Sequence, residues 1–191
     1  MLSMTRIIAG LAGSLKLTSP AKVTRPTSDR IRESIFSRLE ARDELSGASV
    51  LDLYAGTGAL ALEAASRGAK VAWMVERDGK AAAVCVANLK IVAKALLKEE
   101  QEFDGKVVNK SVSGFLSTPG DAKFNLVFID PPYEITNDEV VADLVSLLPV
   151  VEDATIVVER SSRTGAPMWP AGYTLEDEKS YGDTVVYWLS A

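Results

Sequence analysis

The chain has 191 residues, 26 of them acidic and 21 basic, with no histidine and one cysteine, and its net charge is −5 at neutral pH. This length suits one domain with its own hydrophobic core. The absence of histidine excludes Ser-His and Cys-His catalytic pairs and histidine-dependent metal sites, so we expect no bound metal, and a single cysteine cannot form an internal disulfide. The chain has no apolar run of transmembrane length and no secretion signal in its first residues, so we expect a cytoplasmic location and no membrane contact.

Positive charge is concentrated at the start of the chain. Residues 1–38 contain seven basic and two acidic side chains, a surplus of five, whereas the rest of the chain carries a net charge of −10. A basic segment on an acidic protein predicts a localised contact with nucleic acid. An exposed polar extension without a partner would have the same composition, so charge alone does not decide between the two.

The first predicted elements are an arm and a helix. Residues 5–24 are expected to form an extended or hairpin arm. Thr27, Ser28 and Asp29 are N-cap candidates for the helix that follows. The apolar positions of this helix recur with the helical period and should face the core: Ile31, Ile35, Phe36 and Leu39.

The rest of the chain alternates strands with helices. The strands are predicted over 49–54, 70–76, 106–110, 124–130 and 154–159. The helix after the first strand should end near Gly68, where glycine suits the C′ position, and a long helix is predicted over 79–98. Thr136 and Glu139 have the spacing of a capping box that begins another helix. Two strand-like runs between Tyr173 and Leu189 predict a closing hairpin.

The sequence Asp130-Pro131-Pro132-Tyr133 directly follows a predicted buried strand. The two prolines fix the backbone and remove two donors, so the turn is rich in hydrogen-bond acceptors. Asp130 and the carbonyl of Pro131 can therefore both accept hydrogen bonds from one planar amino group, and Tyr133 can stack on the ring that carries it. A plain proline-rich turn after a strand is the alternative interpretation.

A glycine turn follows the first strand. Gly56 and Gly58 tolerate backbone conformations that other residues resist, and they let a ligand approach the chain closely. The N-terminus of the next helix can then bind a carboxylate or a phosphate. With Ala61, the turn also matches the dinucleotide-binding fingerprint. Asp52, however, stands where a dinucleotide site has an apolar residue, and its carboxylate suits a cationic ligand.

Glu76 ends the second predicted strand, 18 positions (76 − 58) beyond Gly58. In doubly wound folds an acid at this place binds ribose hydroxyls, although a solvated strand-end glutamate would have the same sequence. Asp52, the glycine turn, Glu76 and the Asp-Pro-Pro-Tyr turn occur in this order, each at the C-terminal end of a strand. Together they resemble the class I S-adenosylmethionine-dependent methyltransferases.

This resemblance implies an α/β, Rossmann-like fold with a mostly parallel seven-stranded sheet, an antiparallel C-terminal strand and a short N-terminal arm. We expect a single methyltransferase domain over residues 1–191, with a basic arm over 1–26 and a catalytic core over 27–191. S-adenosylmethionine is the expected cofactor, and Ser111 is expected to face its adenine. The cofactor-binding residues are expected to be Asp52, Tyr54, Gly56, Gly58, Glu76, Arg77, Ser111 and Val112.

The segment from Arg25 to Phe36, RPTSDRIRESIF, resembles the signature of the bacterial RsmD family. Members of that family methylate the exocyclic N2 of a guanine in 16S ribosomal RNA. Shorter pieces in the family's order extend the resemblance over most of the chain: Arg6 to Gly10, Ser66 to Ala69, Asn88-Leu89 and Tyr181-Gly182. The family usually has a basic, glycine-rich stretch after Gly10, whereas residues 11–17 contain a single cation, so we expect weaker RNA contact there.

The family resemblance implies roles for two sets of residues. The catalytic residues are expected to be Asp130, Pro131 and Tyr133. The substrate-binding residues are expected to be Arg25, Arg30, Arg32, Pro132 and Tyr133, with the arginines on RNA phosphates. Arg30 and Arg32 lie two apart on a helix and do not share a face, so at most one should point at the main RNA path. The expected partner is 16S ribosomal RNA in a partly or fully assembled small subunit, bound by a monomer.

Three other functions share parts of this pattern. An adenine-N6 DNA methyltransferase would use the same Asp-Pro-Pro-Tyr chemistry, but it usually adds a recognition domain for which this length has no room. A protein-glutamine methyltransferase resembles Asn-Pro-Pro-Tyr instead, so Asp130 counts against it. A NAD-dependent dehydrogenase or a non-catalytic nucleotide-binding domain would explain the glycine turn, but it would leave Asp52 and the Asp-Pro-Pro-Tyr turn without a role.

Overall fold

The computed structural model describes residues 5–19, 29–118 and 120–191. Arg25 and two of the predicted N-cap candidates, Thr27 and Ser28, lie outside these ranges. Within them the chain forms a sheet with helices on both faces.

Seven strands form this sheet in the described part of the chain. They are β1 (Ser49–Asp52), β2 (Val71–Val75), β3 (Asp104–Val108), β4 (Phe124–Ile129), β5 (Val151–Ser161), β6 (Thr174–Tyr181) and β7 (Thr184–Ser190). Their order across the sheet is β3-β2-β1-β4-β5-β7-β6. β1 to β5 are parallel, and β7 is antiparallel to both of its neighbours. The predicted mostly parallel sheet with an antiparallel C-terminal strand is confirmed.

Helices cover both faces of the sheet. They are α1 (Asp29–Ala41), α2 (Ala59–Ser66), α3 (Gly79–Lys98), α4 (Val112–Leu116) and α5 (Asn137–Leu147), with a 3₁₀ turn over Leu148–Val150. The apolar sides of α1, α2 and α3 form one core layer, and those of α4 and α5 form the other. The predicted capping box of Thr136 and Glu139 at the start of α5 is confirmed. None of the described helices is long and apolar enough to cross a membrane.

Helix α1 packs as its apolar period predicts. The four residues predicted to face the core are all buried: Ile31, Ile35, Phe36 and Leu39. Phe36 lies against Phe128, with the ring centroids 5.7 Å apart. Because Phe128 is near the carboxyl end of β4, this contact places α1 beside the strand end that is followed by Asp130.

The structure differs from the sequence-based prediction at two places. β3 spans Asp104–Val108, two residues before the strand predicted near 106–110, and helix α4 has no counterpart in the prediction. β3 is an edge strand in which no residue is fully buried, so its apolar alternation is weak. α4 has only five residues, and its start depends on a side-chain cap in which the Gly114 N–H donates to Ser111 Oγ.

Residues 5–19 form the predicted hairpin arm. Arg6 and Lys16 form an antiparallel bridge, and the Ile7 N–H donates to Leu15 O at 2.9 Å. Ile7 and Leu17 are buried in the same core layer as α1 and α2. The part of the arm prediction that covers 20–24 lies outside the described residues.

A buried carboxylate of α2 holds the arm against the domain. Glu63 has no exposed surface, and it accepts the N–H groups of Ile8 at 2.6 Å and Ala9 at 3.0 Å. Arg67 Nε donates to the same carboxylate at 2.7 Å, so the buried negative charge is paired. The arm is therefore part of the folded core through a polar contact that apolar periodicity does not reveal.

A second buried polar residue connects the arm to the glycine turn. Asn88 of α3 accepts the Thr18 N–H at 2.8 Å and donates to Thr18 O at 3.0 Å. It also donates to Thr57 O at 2.9 Å. One fully buried amide therefore links the end of the described arm to the turn between β1 and α2.

Replacing Glu63 with alanine should lower the free energy of unfolding by about 3 kcal/mol, because two backbone N–H groups and Arg67 would lose a buried anionic acceptor. Urea denaturation followed by circular dichroism measures this change. Glu102→Ala removes an exposed carboxylate and should change the same quantity by less than about 0.5 kcal/mol. Equal effects of the two substitutions would show that Glu63 does not anchor the arm.

Candidate active site

The carboxyl ends of four adjacent strands bring acidic side chains to one edge of the sheet. Asp52 ends β1, and Glu76 follows β2. Asp130 follows β4, and Glu159 lies near the end of β5. These strands are neighbours in the order β2-β1-β4-β5, so the four residues form a row across the sheet.

The strand register places the first three members of the row on the same face. Asp52 pairs with Met74 of β2 and with Phe128 of β4, and paired residues in a sheet share a face. Glu76 and Asp130 are each two residues further along the chain, which returns the side chain to that face. Met74 and Phe128 belong to the core layer of α1 to α3, so the row lies on that side.

A cavity of about 910 Å³ opens at this edge of the sheet. It lies where the order of the strands reverses between β1 and β4, and open α/β sheets bind ligands in such crevices. Most of the predicted site residues line it: Asp52, Tyr54, Gly56, Glu76, Arg77, Val112, Asp130, Pro131, Pro132 and Tyr133. The structure thus brings the glycine turn and the Asp-Pro-Pro-Tyr turn into one pocket.

Asp52 is a buried acid with little compensation. It is 1% exposed, and burial together with the nearby Asp130 carboxylate raises its pKa to about 7. The backbone N–H groups of Ala61 and Tyr54 oppose this rise, while Glu76 adds to it. Neither oxygen of Asp52 accepts a hydrogen bond of normal geometry from the described residues. A cationic ligand in the pocket would stabilise the ionised form.

Glu76 fixes the glycine turn. Its Oε2 accepts the Gly56 N–H at 2.9 Å, and its Oε1 accepts the Asp78 N–H at 2.7 Å. Gly56 has a φ of 53°, and nothing lies within 4 Å of the place where a side chain would begin, so the turn is open on that side. Each carboxylate oxygen keeps a further lone pair, so Glu76 can still accept a hydrogen bond from a hydroxyl.

Gly58 and Ser111 are not among the residues that line the pocket, and their predicted contacts with the cofactor stay predictions. Gly58 has a φ of 80°, and a side chain there would begin 2.8 Å from Cys85 Sγ and 3.0 Å from Met74 Sδ. Core packing and the positive φ therefore require glycine. Ser111 is exposed, and its hydroxyl caps the first turn of α4, which leaves its neighbour Val112 to line the pocket.

Tyr54 is held in the pocket wall by a buried acid that sequence reasoning missed. Its hydroxyl donates to Asp143 Oδ2 of α5 at 2.5 Å. Burial and this hydrogen bond raise the pKa of Tyr54, and burial raises the pKa of Asp143. The hydrogen bond connects the segment after β1 to α5 and holds the Tyr54 ring on the side of the sheet that α4 and α5 cover.

The Asp-Pro-Pro-Tyr turn presents its four residues at different depths. Pro131 is buried, while Asp130 and Pro132 are partly buried. Tyr133 is 65% exposed, which is unusual for so large a ring and leaves its face open to a partner. The Ile135 N–H donates to Pro132 O at 3.0 Å and closes the turn. The turn can therefore hold an amino group inside the pocket and a ring at its mouth.

Sequence reasoning also missed Glu159 and Arg160, which line the pocket from β5 and are each 5% exposed. Arg160 Nε donates to Asn137 Oδ1 at 2.9 Å, and Nη2 donates to Ile135 O at 2.7 Å. These bonds tie β5 to the segment that follows the Asp-Pro-Pro-Tyr turn. Adjacent opposite charges at a strand end are normally solvated, so nothing in the sequence signals their burial.

The structure corrects the assignment of Arg32 to RNA phosphates. Arg32 is 2% exposed, and its Nη2 donates to Asp29 Oδ1 at 2.7 Å and to Arg6 O at 3.0 Å. Arg30 is exposed, in agreement with the expectation that the two arginines do not share a helix face. Arg25 lies outside the described residues.

Arg77 lies at the mouth of the pocket. Its Nη2 donates to Glu134 Oε1 at 3.1 Å, and both side chains are mostly exposed. The pair connects the segment after β2 to the segment after the Asp-Pro-Pro-Tyr turn, so it spans the two motifs. An exposed ion pair of this kind contributes at most about 1 kcal/mol, so it can open without a large cost.

Comparison with known proteins agrees with this geometry. Residues 5–190 match the family described as Conserved hypothetical protein 95. The ribosomal RNA small subunit methyltransferase D of Escherichia coli K12 is 35% identical over 182 residues, which cover 93% of this chain and 85% of that protein. The chain belongs to this methyltransferase family. The predicted family is therefore confirmed.

Solved structures extend the agreement to the fold. The Escherichia coli protein yhhF has a TM-score of 0.82 and 32% identity, and the alignment covers 98% of both chains. The magnesium protoporphyrin IX methyltransferase of Synechocystis, solved with bound S-adenosylmethionine, has a TM-score of 0.62 at 14% identity and covers 84% of this chain and 78% of that one. The second likeness concerns the fold alone. The predicted class I methyltransferase fold is confirmed.

Asp52→Asn should stabilise the ligand-free protein in a pH-dependent way. The folded-state pKa of Asp52 is raised from 3.8 to about 7, so the folded protein binds this proton more tightly than the unfolded chain. The wild type therefore loses stability as pH rises from about 4 to 7, by on the order of 4 kcal/mol, and changes no further above that range. Urea denaturation of both proteins at pH 5 and pH 8 measures the difference.

The same substitution should weaken S-adenosylmethionine binding by about 10- to 100-fold, because a charge-assisted contact to a cation would be lost. Isothermal titration at pH 8 measures this affinity. Asp121→Asn, at an exposed position outside the pocket, should change neither the stability nor the affinity. A variant that loses affinity without gaining stability at pH 8 would contradict the assigned pKa.

Proposed function

We propose that this protein transfers a methyl group from S-adenosylmethionine to the exocyclic N2 of a guanine in 16S ribosomal RNA. One observation carries the proposal: the Asp-Pro-Pro-Tyr turn lines the same cavity as Asp52 and Glu76, and β4, which it follows, lies next to β1 in the sheet. The cavity therefore has room for a cofactor beside β1 and β2 and for an amino group beside β4. The name of the Escherichia coli relative, which specifies ribosomal RNA of the small subunit, supports the substrate class.

The residues beside β1 and β2 fit S-adenosylmethionine. Asp52 is a buried carboxylate without a well-formed hydrogen bond in the described structure, which suits the positive charge of the cofactor. Gly56 lines the pocket and has open space where a side chain would begin, and Glu76 has lone pairs for ribose hydroxyls. Tyr54, Arg77 and Val112 complete this part of the wall. When bound, the cofactor supplies an electrophilic methyl group on a sulfonium.

The residues after β4 hold the acceptor. Asp130 and the Pro131 carbonyl accept the two N2 hydrogens of guanine, which fixes the plane of the amino group and directs the nitrogen lone pair, perpendicular to that plane, at the cofactor side of the pocket. Tyr133 stacks on the base, a contact typically worth about 1–3 kcal/mol. Asp130 orients the amine and can take its proton after transfer. Positioning of this kind can contribute on the order of 7–11 kcal/mol to catalysis.

Exposed cations near the pocket support a path for RNA. Arg6, Lys16 and Arg30 are exposed, and Thr5 and Ser19 of the arm line the cavity. Arg32 and Arg38 carry charge in the same segment but are engaged by Asp29 and Asp177. The basic surface in the described part of the chain is therefore smaller than the segment's charge predicts.

This small surface favours a substrate with further contacts, namely 16S ribosomal RNA in a partly or fully assembled small subunit. We infer a monomer that acts in the cytoplasm, where such subunits are assembled. We also infer that residues 1–26 serve as the RNA-binding arm and residues 27–191 as the catalytic core of one domain. The burial of Ile7 and Leu17 supports an arm that is docked on that core.

The proposal is tested by methyl transfer from labelled S-adenosylmethionine to unmethylated small subunits, deproteinised ribosomal RNA and double-stranded DNA, with the nucleoside identified by mass spectrometry. N2-methylguanosine should form on ribosomal material. Asp130→Ala should reduce its rate at least about 100-fold because the amine loses its anionic acceptor, whereas Asp138→Ala, in the exposed first turn of α5, should not.

Each other outcome of this experiment has a distinct meaning. N6-methyladenine formed on DNA would keep the acceptor chemistry and overturn the substrate. An unaffected rate in Asp130→Ala would remove this residue from the reaction. No transfer to any substrate by a protein that binds the cofactor would overturn the proposed function.

Arg30→Ala should weaken binding to ribosomal RNA and reduce the slope of log affinity against log salt by about 1, because one phosphate contact would be lost. Filter binding at several salt concentrations measures the slope. Lys94→Ala, at an exposed position on α3 outside the pocket, is the matched control and should leave the slope unchanged. An unchanged slope in folded Arg30→Ala would place Arg30 outside the interface.

A further inference from the structure

The cavity continues past Asp130 into a region that the cofactor residues do not line. We call this region the target lobe. Its wall contains Ile31, Arg32, Asp130, Glu159, Tyr181 and Thr184. These residues come from α1, from the ends of β4 and β5 and from the β6–β7 hairpin, so the lobe lies beside the amino-group site and away from Glu76.

The strand register places Glu159 beside Asp130. Ile129 pairs with Val158 in the parallel β4–β5 ladder, and Asp130 and Glu159 are the residues that follow this pair. Backbones of adjacent strands are about 5 Å apart. Glu159 also pairs with Val186 of β7, whose side chain packs in the core layer of α1 to α3. The Glu159 carboxylate is therefore on the same face of the sheet as Asp130.

The lobe has a wall of buried charge. Glu159 is 5% exposed and Arg32 is 2% exposed, and both line the cavity. The Nε and Nη1 groups of Arg32 find no acceptor among the residues that the structure describes. Buried polar groups are normally hydrogen-bonded, so an unmet donor here points to a ligand with an acceptor. The neighbouring carboxylates of Asp130 and Glu159 can accept hydrogen bonds, and the Arg32 guanidinium can donate one. These groups suit a polar ring that has donors and an acceptor along one edge.

Guanine has such an edge. Its N2 amino group and its N1–H are adjacent donors, followed by the O6 acceptor, whereas adenine has an N1 acceptor beside its N6 amino group. Enzymes that act on an extruded base read it through hydrogen bonds to this edge. We propose that Glu159 accepts the N1–H of the target guanine while Asp130 accepts its N2 amino group, and that Glu159 thereby selects guanine over adenine. This inference rests on the proposed methylation of guanine N2.

A base analogue separates this role from a structural one. 2-Aminopurine keeps the amino group at the same ring position, but it lacks O6 and has a lone pair at N1 in place of the N1–H. Small subunits reconstituted with guanine or 2-aminopurine at the methylated nucleotide are incubated with labelled S-adenosylmethionine, and kcat/KM is compared. The wild type should prefer guanine by about 10- to 100-fold, because the carboxylate would otherwise face a lone pair.

Glu159→Gln should reduce this preference at least about fivefold, because its amide can donate to the N1 of 2-aminopurine. Asp183→Asn removes an exposed carboxylate from the rim of the same cavity and should leave the preference unchanged. A destabilised variant would lose activity with both bases equally, so the ratio reports recognition rather than folding.

The results separate the two proposals. An unchanged preference in folded Glu159→Gln would overturn the role of Glu159. If Glu159→Gln does not fold, equal wild-type values of kcat/KM with guanine and 2-aminopurine would overturn the role of Glu159. Absence of wild-type transfer to guanine itself would instead overturn the proposed function.

Discussion

The parallel register of β2, β1, β4 and β5 is the constraint on which the site depends. Because paired residues in adjacent strands share a face, Asp52 is aligned with its neighbours on both sides, and the acids that follow those strands lie on the same face. A shift by one residue in one strand would move its acid to the opposite face of the sheet. The row of acids therefore requires the hydrophobic cores on both faces, which fix the register.

Gathering these acids has an energetic cost that the rest of the fold must offset. Asp52 loses water and faces the charges of Asp130 and Glu76, which is why its pKa rises to about 7. The two extensive core layers supply the opposing free energy. Repulsion between these carboxylates favours the binding of a cation, because a positively charged ligand reduces the repulsion. Stability and ligand affinity therefore oppose each other at Asp52.

The arm shows how a charged segment can be both part of the fold and part of the site. Glu63 and Asn88 hold its backbone with buried hydrogen bonds, and Asn88 also holds the glycine turn. Asn88 therefore links the arm to the glycine turn. Gly10 approaches α2 so closely that a side chain would begin 2.0 Å from Ser66 O, which explains why glycine stands there. Among the described residues of the arm, the cations Arg6 and Lys16 are exposed.

The sequence by itself determined the order of the strands and of every helix except α4, the inward face of α1, the capping box of α5, and the glycine and Asp-Pro-Pro-Tyr turns, because these depend on residues close together in the chain. Apolar periodicity and turn chemistry are local signals. The tertiary structure alone decided that Arg32 is buried, that Gly58 serves packing, and that Glu63 and Glu159 are buried acids. Burial of a charge depends on which distant segments cover it, and no local pattern in the chain records that.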